Sequence, residues 1–216
     1  MDPLQQETRQ TWDKLADLYW DKFSAISIYD ETYDYFLKSL PEGHPSVLDL
    51  GCGPGIISAY VRAKRQNIRI TAVDVSPNMV KKAQEMVPDI FGIVLNTSDI
   101  RTLHTPFQGI ISGFVLPYLS PEEVVTCIKD CHDLLYDNGI FYLSFVEGHP
   151  SQSGIKTGSS GDRTLFFYHQ KDEILKSLEL SGFTVLKEFT VPYPLQNSET
   201  EEHIILIAKK SNKKAG

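Results

Sequence analysis

The sequence predicts an α/β protein: a doubly wound, mostly parallel seven-stranded sheet with an antiparallel final strand and N-terminal helices. Three observations predict it. Strand-like and helix-like segments alternate five times along the chain. The stretch VLDLGCGPG, residues 47–55, leaves an apolar run as a glycine-rich turn. Two strand-like segments then close the chain with no helix between them.

The elements follow in order. Trp12, Leu15, Ala16, Tyr19 and Phe23 recur at helical spacing, as do Tyr33, Phe36, Leu37 and Leu40, so two helices precede the sheet. PEGHPS, residues 41–46, ends the second. The first strand covers residues 47–50, and a helix follows through Ile57, Tyr60 and Val61. The second strand, residues 68–73, leads to Ser76 as N-cap, with Pro77 at the first helical position. A short third strand spans residues 93–97. The fourth, residues 109–114, is almost wholly apolar, as a strand covered on both faces must be. SPEE, residues 120–123, is a capping box opening a helix through Val124, Ile128, Cys131 and Leu135. Asn138-Gly139 turns into the fifth strand, residues 140–146. Residues 148–163, GHPSQSGIKTGSSGDR, are polar and rich in Gly and Ser and read as a long loop, a length usually tied to function. A helix through Ile174, Leu175 and Leu178 stops at Gly182. The linker VPYPLQNSETEE is too short for a helical crossover, so strands 183–191 and 203–209 pair antiparallel. The chain is organised as one domain, residues 1–216: a helical cap over 1–45, a core over 47–209 and a solvated tail over 210–216.

Composition narrows the partners. The 216 residues carry a formal charge of −7, which disfavours a phosphate backbone in the absence of an internal basic cluster. The start, MDPLQQETRQ, lacks the apolar core of a signal peptide, and no run approaches the roughly 18 apolar residues that span a bilayer. Three cysteines, Cys52, Cys127 and Cys131, show no framework spacing, which suits a reducing cytoplasm. Cys127 and Cys131 share a helix face without further ligands, so they read as small buried residues and no metal site is expected.

In an open α/β sheet, ligands bind beyond the carboxyl ends of the strands. Gly51 and Gly53 free the backbone there, and the helix opening near Gly55 aims its amides at the same crevice. Asp74 ends the second strand, where a carboxylate accepts both hydrogen bonds of a ribose diol. Asp99 follows the third, where it can accept from an adenine amino group while the Ile100 amide donates to a ring nitrogen. Any adenosine cofactor fits this series. A nicotinamide-dependent oxidoreductase would show GxGxxG and seat a pyrophosphate, whereas Gly51, Gly53 and Gly55 space as GxGxG and Pro54 has no amide to offer.

With these residues the sequence resembles the class I methyltransferases that use S-adenosylmethionine. VLDLGCGPG resembles the family's first motif, AVDVSPNMV its second, NTSDIRTL its third, ISGFVLPYLSPEE its fourth-strand segment and LLYDNGIFYLSF its fifth strand. The resemblance covers residues 12–209 and implies a Rossmann-like fold, S-adenosylmethionine as cofactor and S-adenosylhomocysteine as product. It implies that Asp49 and the Gly51 carbonyl face the methionine end, that Gly53 lets the cofactor lie close, and that Cys52 and Val75 also bind the cofactor. Asp74 would hold the ribose hydroxyls, with Met79 near the adenine and Asp99 and Ile100 at its edge. Gly113 and Phe114 would border the sulfonium, with Tyr19 over the cofactor. Tyr19 reads equally as a core-facing residue of an amphipathic helix. Gln108 stands where the family commonly has Asp.

The nucleic-acid amino-methyltransferase motif, the Pro-Cys of cytosine-C5 enzymes and the paired glutamates of arginine methyltransferases are not evident, which leaves a small-molecule acceptor and a methyltransferase of undetermined acceptor atom. Candidates for a general base are Tyr118 after the fourth strand, His149 after the fifth, and Tyr168-His169 beyond the long loop. A non-catalytic cofactor-binding protein is the other reading. Oligomeric state is not legible.

Overall fold

The structure, a computed structural model, describes residues 3–158, 161–195 and 199–211. Helices α1 (Pro3–Lys14), α2 (Ala16–Phe23) and α3 (Asp30–Ser39) lead into β1 (Ser46–Leu50), α4 (Ile56–Lys64), β2 (Arg69–Asp74), α5 (Pro77–Met86) and β3 (Phe91–Val94). Then come β4 (Phe107–Ser112), α6 (Pro121–Leu134), β5 (Leu135–Val146), β6 (Gly154–Thr157), β7 (Arg163–Phe166), α7 (Lys171–Leu180), β8 (Phe183–Pro194) and β9 (Thr200–Lys210). The sheet order is β3-β2-β1-β4-β5-β9-β8. Strands β1 to β5 pair in parallel, and β9 runs antiparallel between β5 and β8. The doubly wound sheet with its reversed last strand is therefore as the sequence predicts. No helix among the described residues is long and apolar enough to cross a membrane.

Alternation along the strands builds two cores. Leu48, Ile110, Phe141 and Leu206 face α6 and α7, whose Cys127, Ile128, Cys131 and Leu178 cover them. Val47, Ile70, Ile111 and Tyr142 face the other way, toward Phe36, Leu37, Val61 and Ala83. Both faces of each central strand are thus dry, which is why these strands read as continuous apolar runs. Ser120 accepts from the Glu123 amide while Glu123 accepts from the Ser120 amide, so the capping box forms. Gln108 accepts from both the amide and the hydroxyl of Ser46, at 2.7 and 2.6 Å, and ties the starts of β1 and β4.

Five expectations change. Three helices, not two, precede the sheet, because the chain tightens at Leu15, whose amide is shared between the carbonyls of Thr11 and Trp12. The third strand is β3, ending at Val94, since Asn96 caps a 3-10 turn over Thr97–Leu103 that takes the residues assigned to the strand's end. The fifth strand starts at Leu135 and runs through Asn138-Gly139. Asn138, at φ +64°, is absorbed beside a register shift opposite Phe107 and Gly109 rather than in a free turn. The long loop is a short 3-10 turn followed by the β6–β7 hairpin, which alternation alone could not reveal because it lies away from the core. Ser159 and Ser160 of that stretch, residues 196–198 of the last linker and residues 212–216 of the tail lie outside the described residues. Lys210 belongs to β9, its ammonium donating to the carbonyls of His132 and Leu135 at 2.8 Å each.

Phe36 is fully buried and meets Tyr142 edge-on at 6.1 Å, which fixes α3 to the sheet. Phe36→Ala is expected to cost about 3–5 kcal/mol through lost transfer energy and a cavity, read as a lower urea midpoint at constant slope.

Candidate functional site

Beyond the carboxyl ends of β1, β2 and β4 lies a cavity of about 780 Å³, roofed by α1 and α2 and closed at one side by β7 and the starts of α3 and β9. Its floor is the glycine turn. Gly51 is at φ +67°, and a Cβ there would sit 2.2 Å from Val115 Cγ2, so only glycine lets β1 turn under the residues after β4. Gly53, at φ +51°, would direct a Cβ into open space, which leaves its backbone face free for a ligand.

Asp74 closes the floor. One carboxylate oxygen accepts from the Gly53 amide and the other from the Ser76 amide, each at 2.9 Å. Burial raises its pKa against these bonds. Each oxygen has accepting capacity left for a hydroxyl from the cavity. Asp49 is 1% exposed behind the turn. One of its oxygens accepts from Ser58 Oγ at 2.6 Å and the other has no partner. Burial lifts this carboxyl to about 7. An orphaned acid there is suited to receive a cation or a donor through the turn.

The roof is positioned by polar contacts. The Asp13 carboxylate accepts from Ser76 Oγ at 2.6 Å and from the Asn78 amide at 3.0 Å, seating α1 on the first turn of α5. Thr11 Oγ1 donates to the Arg163 carbonyl and Thr8 Oγ1 accepts from the Leu165 amide, at 2.9 and 2.8 Å, binding α1 to the hairpin. The walls are aromatic. Trp12 meets Tyr19 and Tyr118 edge-on at 5.4 Å each, and Tyr118 meets Phe166 at 6.0 Å. On the far side Phe114 lies 5.3 Å from Tyr29 and 4.8 Å from His203. Phe114 holds φ +56°, with its amide bonded to Ser144 Oγ at 2.8 Å. A bulky residue in that region is strained, and such strain concentrates at working sites.

Of the residues singled out in the sequence, Tyr19, Gly51, Cys52, Gly53, Asp74, Val75, Met79, Gly113, Phe114 and Tyr118 line the cavity. Asp99 does not: it is exposed on the 3-10 turn, and Leu95, Asn96 and Thr97 form that part of the wall. Ile100 is fully buried beneath it. His149 is exposed, its ring bonded to Ser151 at 2.8 Å. Tyr168 is off the cavity lining and donates to Glu201 at 2.6 Å, and His169 is buried against the Leu116 carbonyl. Burial pushes Tyr19 up to about 12 and Tyr118 and Tyr29 well above the ordinary value, so none of the three is a phenolate at neutral pH; Tyr29 alone of them is hydrogen-bonded to an imidazole that can take its proton. Sequence reasoning missed Asp13, Tyr29, Tyr193, Glu201 and His203. Only a helix-terminal Asp and a Glu-x-His alternation at the start of the last strand hinted at them.

Asp49 sets a pH dependence. Its folded value near 7 lies above an unfolded value near 3.8. Between those pH values the folded chain keeps a proton that the unfolded chain releases, so this contribution to stability is complete below pH 3.8 and lost as pH rises toward 7. His203, lowered to about 4, acts oppositely between pH 4 and its ordinary 6.5. The difference between Asp49→Asn and the wild type isolates the first. The variant is expected to be more stable above pH 7 by on the order of a few kcal/mol, the gap closing by pH 4, measured by chemical denaturation without ligand.

Residues 47–139 match the family model described as the methyltransferase domain. YqeM of Bacillus subtilis (strain 168), named as a methyltransferase, is 30% identical over 127 residues, 56% of this chain and 50% of that protein. The carboxy-S-adenosyl-L-methionine synthase of Nautilia profundicola is 22% identical over 139 residues, 61% of this chain and 59% of that one. The chain thus spans between half and three fifths of these curated relatives. Among solved structures, the 1,6-didemethyltoxoflavin-N1-methyltransferase of Burkholderia thailandensis, with 1,6-didemethyltoxoflavin and S-adenosylhomocysteine bound, shares the fold at a TM-score of 0.67. Its identity is 20%, over 97% of this chain and 88% of that one. The matched segment and the shared fold are together consistent with a class I S-adenosylmethionine-dependent methyltransferase.

Proposed function

We propose that the protein transfers a methyl group from S-adenosylmethionine to a small-molecule acceptor. The observation that carries this reading is Asp74, an acid with spare acceptor capacity beside a glycine turn, opening into a cavity walled by aromatic rings. The residues fit the cofactor. Asp74 would accept from the ribose hydroxyls. Asp49 is buried behind the turn, off the cavity lining, and its unpartnered oxygen would compensate an ammonium group across the turn. Tyr19 and Phe114 offer ring faces, which attract a sulfonium.

When bound, S-adenosylmethionine supplies an electrophilic methyl group, whose bond to sulfur breaks with its electrons left on sulfur as the acceptor bond forms. The chain's task is positioning and exclusion of water. The cavity volume falls in the roughly 300–1,000 Å³ range of small-molecule sites. Glu123 and Glu201 on its lining disfavour anionic acceptors. The 1,6-didemethyltoxoflavin-N1-methyltransferase among the similar structures acts, by its name, on a small molecule, which supports that acceptor class.

Calorimetry with the full chain tests the cofactor. S-adenosylmethionine and S-adenosylhomocysteine are expected to bind at one site each and NAD not at all. Heat from NAD alone would sink the assignment. Asp74→Ala is expected to weaken S-adenosylmethionine by about 1–3 kcal/mol, roughly 5- to 150-fold in Kd, with Asp74→Asn intermediate because it keeps one acceptor oxygen. Transfer of labelled methyl from S-adenosylmethionine into a metabolite extract tests turnover.

A further inference from the structure

Three side chains at the far wall of the cavity form a connected set that the cofactor positions do not use. Tyr29 Oη lies 2.7 Å from Nδ1 of His203, and Nε2 of His203 faces Glu201 Oε2 at 3.8 Å. Tyr168 donates to the other Glu201 oxygen at 2.6 Å and is itself met by the Lys156 ammonium at 3.1 Å. His203 is clamped between rings, stacked on Tyr193 at 4.8 Å and an 8° tilt, with Phe114 also 4.8 Å away. Tyr29, Glu201 and His203 all line the cavity.

The arrangement favours one tautomer. At 3.8 Å the Glu201 carboxylate is an electrostatic neighbour rather than a hydrogen-bond partner of Nε2, and its negative charge favours the imidazole hydrogen on that side. Nδ1 is then the acceptor and Tyr29 the donor. From the methyl-transfer reading above, on which this rests, we propose that Tyr29, His203 and Glu201 are a proton relay that takes the proton released when an acceptor hydroxyl or N–H is methylated. The acceptor's proton passes to Tyr29 Oη as the Tyr29 proton passes to Nδ1. The imidazolium so formed is balanced by Glu201, which is held in place by Tyr168. Tyr29 is the member that touches the acceptor, and His203 acts through it.

The groups facing His203 are Tyr29 at the start of α3, Tyr193 of β8 and Glu201 of β9; Phe114, after β4, adds an uncharged ring. Burial holds the imidazole down to about 4, so the accepting form persists through neutral pH and is lost only as pH falls toward that value.

Two readouts test this in the full chain. In nitrogen-15 NMR of histidine-labelled protein with S-adenosylhomocysteine, the resonance lost in His203→Gln is expected to show a neutral, Nε2-protonated ring at pH 7. Tyr29→Phe is expected to shift its Nδ1 signal. A charged ring or the opposite tautomer overturns the relay. In turnover with S-adenosylmethionine, 2-naphthol and benzimidazole present a proton to lose and quinoline presents none. His203→Gln is expected to lower kcat on the first two at least a hundredfold, with KM and the S-adenosylmethionine Kd within twofold. The loss on quinoline should be at least tenfold smaller. Equal losses on all three probes, or a cofactor Kd weakened in step, would mark a structural histidine. A chain that binds S-adenosylmethionine yet methylates neither protic probe overturns the acceptor class. Failure to bind S-adenosylmethionine strikes the earlier reading instead.

Discussion

The site depends on one carboxylate held by two amides. Asp74 ends β2, and its oxygens are taken by the amides of Gly53 and Ser76. Those amides belong to different turns, the one leaving β1 and the one entering α5. A single side chain therefore sets the distance between the first two strand ends. Burial opposes the charge it carries, and the two amides offset that cost. Had the acid been a residue earlier, the pleat would have aimed it into the core. At the last position of the strand it faces the crevice, where both its structural bonds and a ligand hydroxyl can reach it.

The same turn organises the roof. Ser76 Oγ, which caps α5 by accepting from the Met79 amide, also donates to Asp13 of α1. The Asp13 carboxylate further accepts from the Asn78 amide, so it occupies the positive end of α5. The helix that carries Trp12 over the cavity is thereby registered to the strand-end acid beneath it. The hairpin finishes the enclosure: Thr8 and Thr11 of α1 bond the backbone of β7, and the Phe167 amide donates to the Pro117 carbonyl. A segment whose sequence reads as a polar loop is thus a wall, because backbone pairing and two threonines stabilise it in place of an apolar face.

What the sequence made legible follows from where information is local. The core strands were readable because burial on both faces leaves apolar runs, and the caps at Ser76 and Ser120 because their bonds span three residues. The glycine turn and Asp74 were readable because both lie at strand ends, where a parallel sheet presents its ligands. Helix breakage at Leu15 was not, since it answers to contacts of α1 with distant elements. The β6–β7 hairpin was hidden for the same reason. Asp99 shows the limit of reading positions by analogy. The 3-10 turn starting at Thr97 winds the chain so that Asn96 and Thr97, not Asp99, line the cavity in this structure.

The wall formed by His203 was invisible for a topological reason. The rule that ligand-facing residues lie at carboxyl ends holds only for strands running with the sheet. Strand β9 runs against it, so Val146 at the end of β5 pairs with His203 near the start of β9. The beginning of the last strand therefore reaches the crevice, and its alternation puts Glu201 and His203 on one face. Strand β8 runs with the sheet again, and its far end brings Tyr193 beside them. One reversed strand between two others thus delivers three polar side chains to the edge where the parallel strands supply mainly glycine and acid. The side of the cavity bearing Asp74 is built by sequence-local turns, and the side bearing His203 by long-range pairing. On the methyl-transfer reading proposed above, this division gives the cofactor's contacts to β1 and β2 and leaves the closing strands to meet the acceptor.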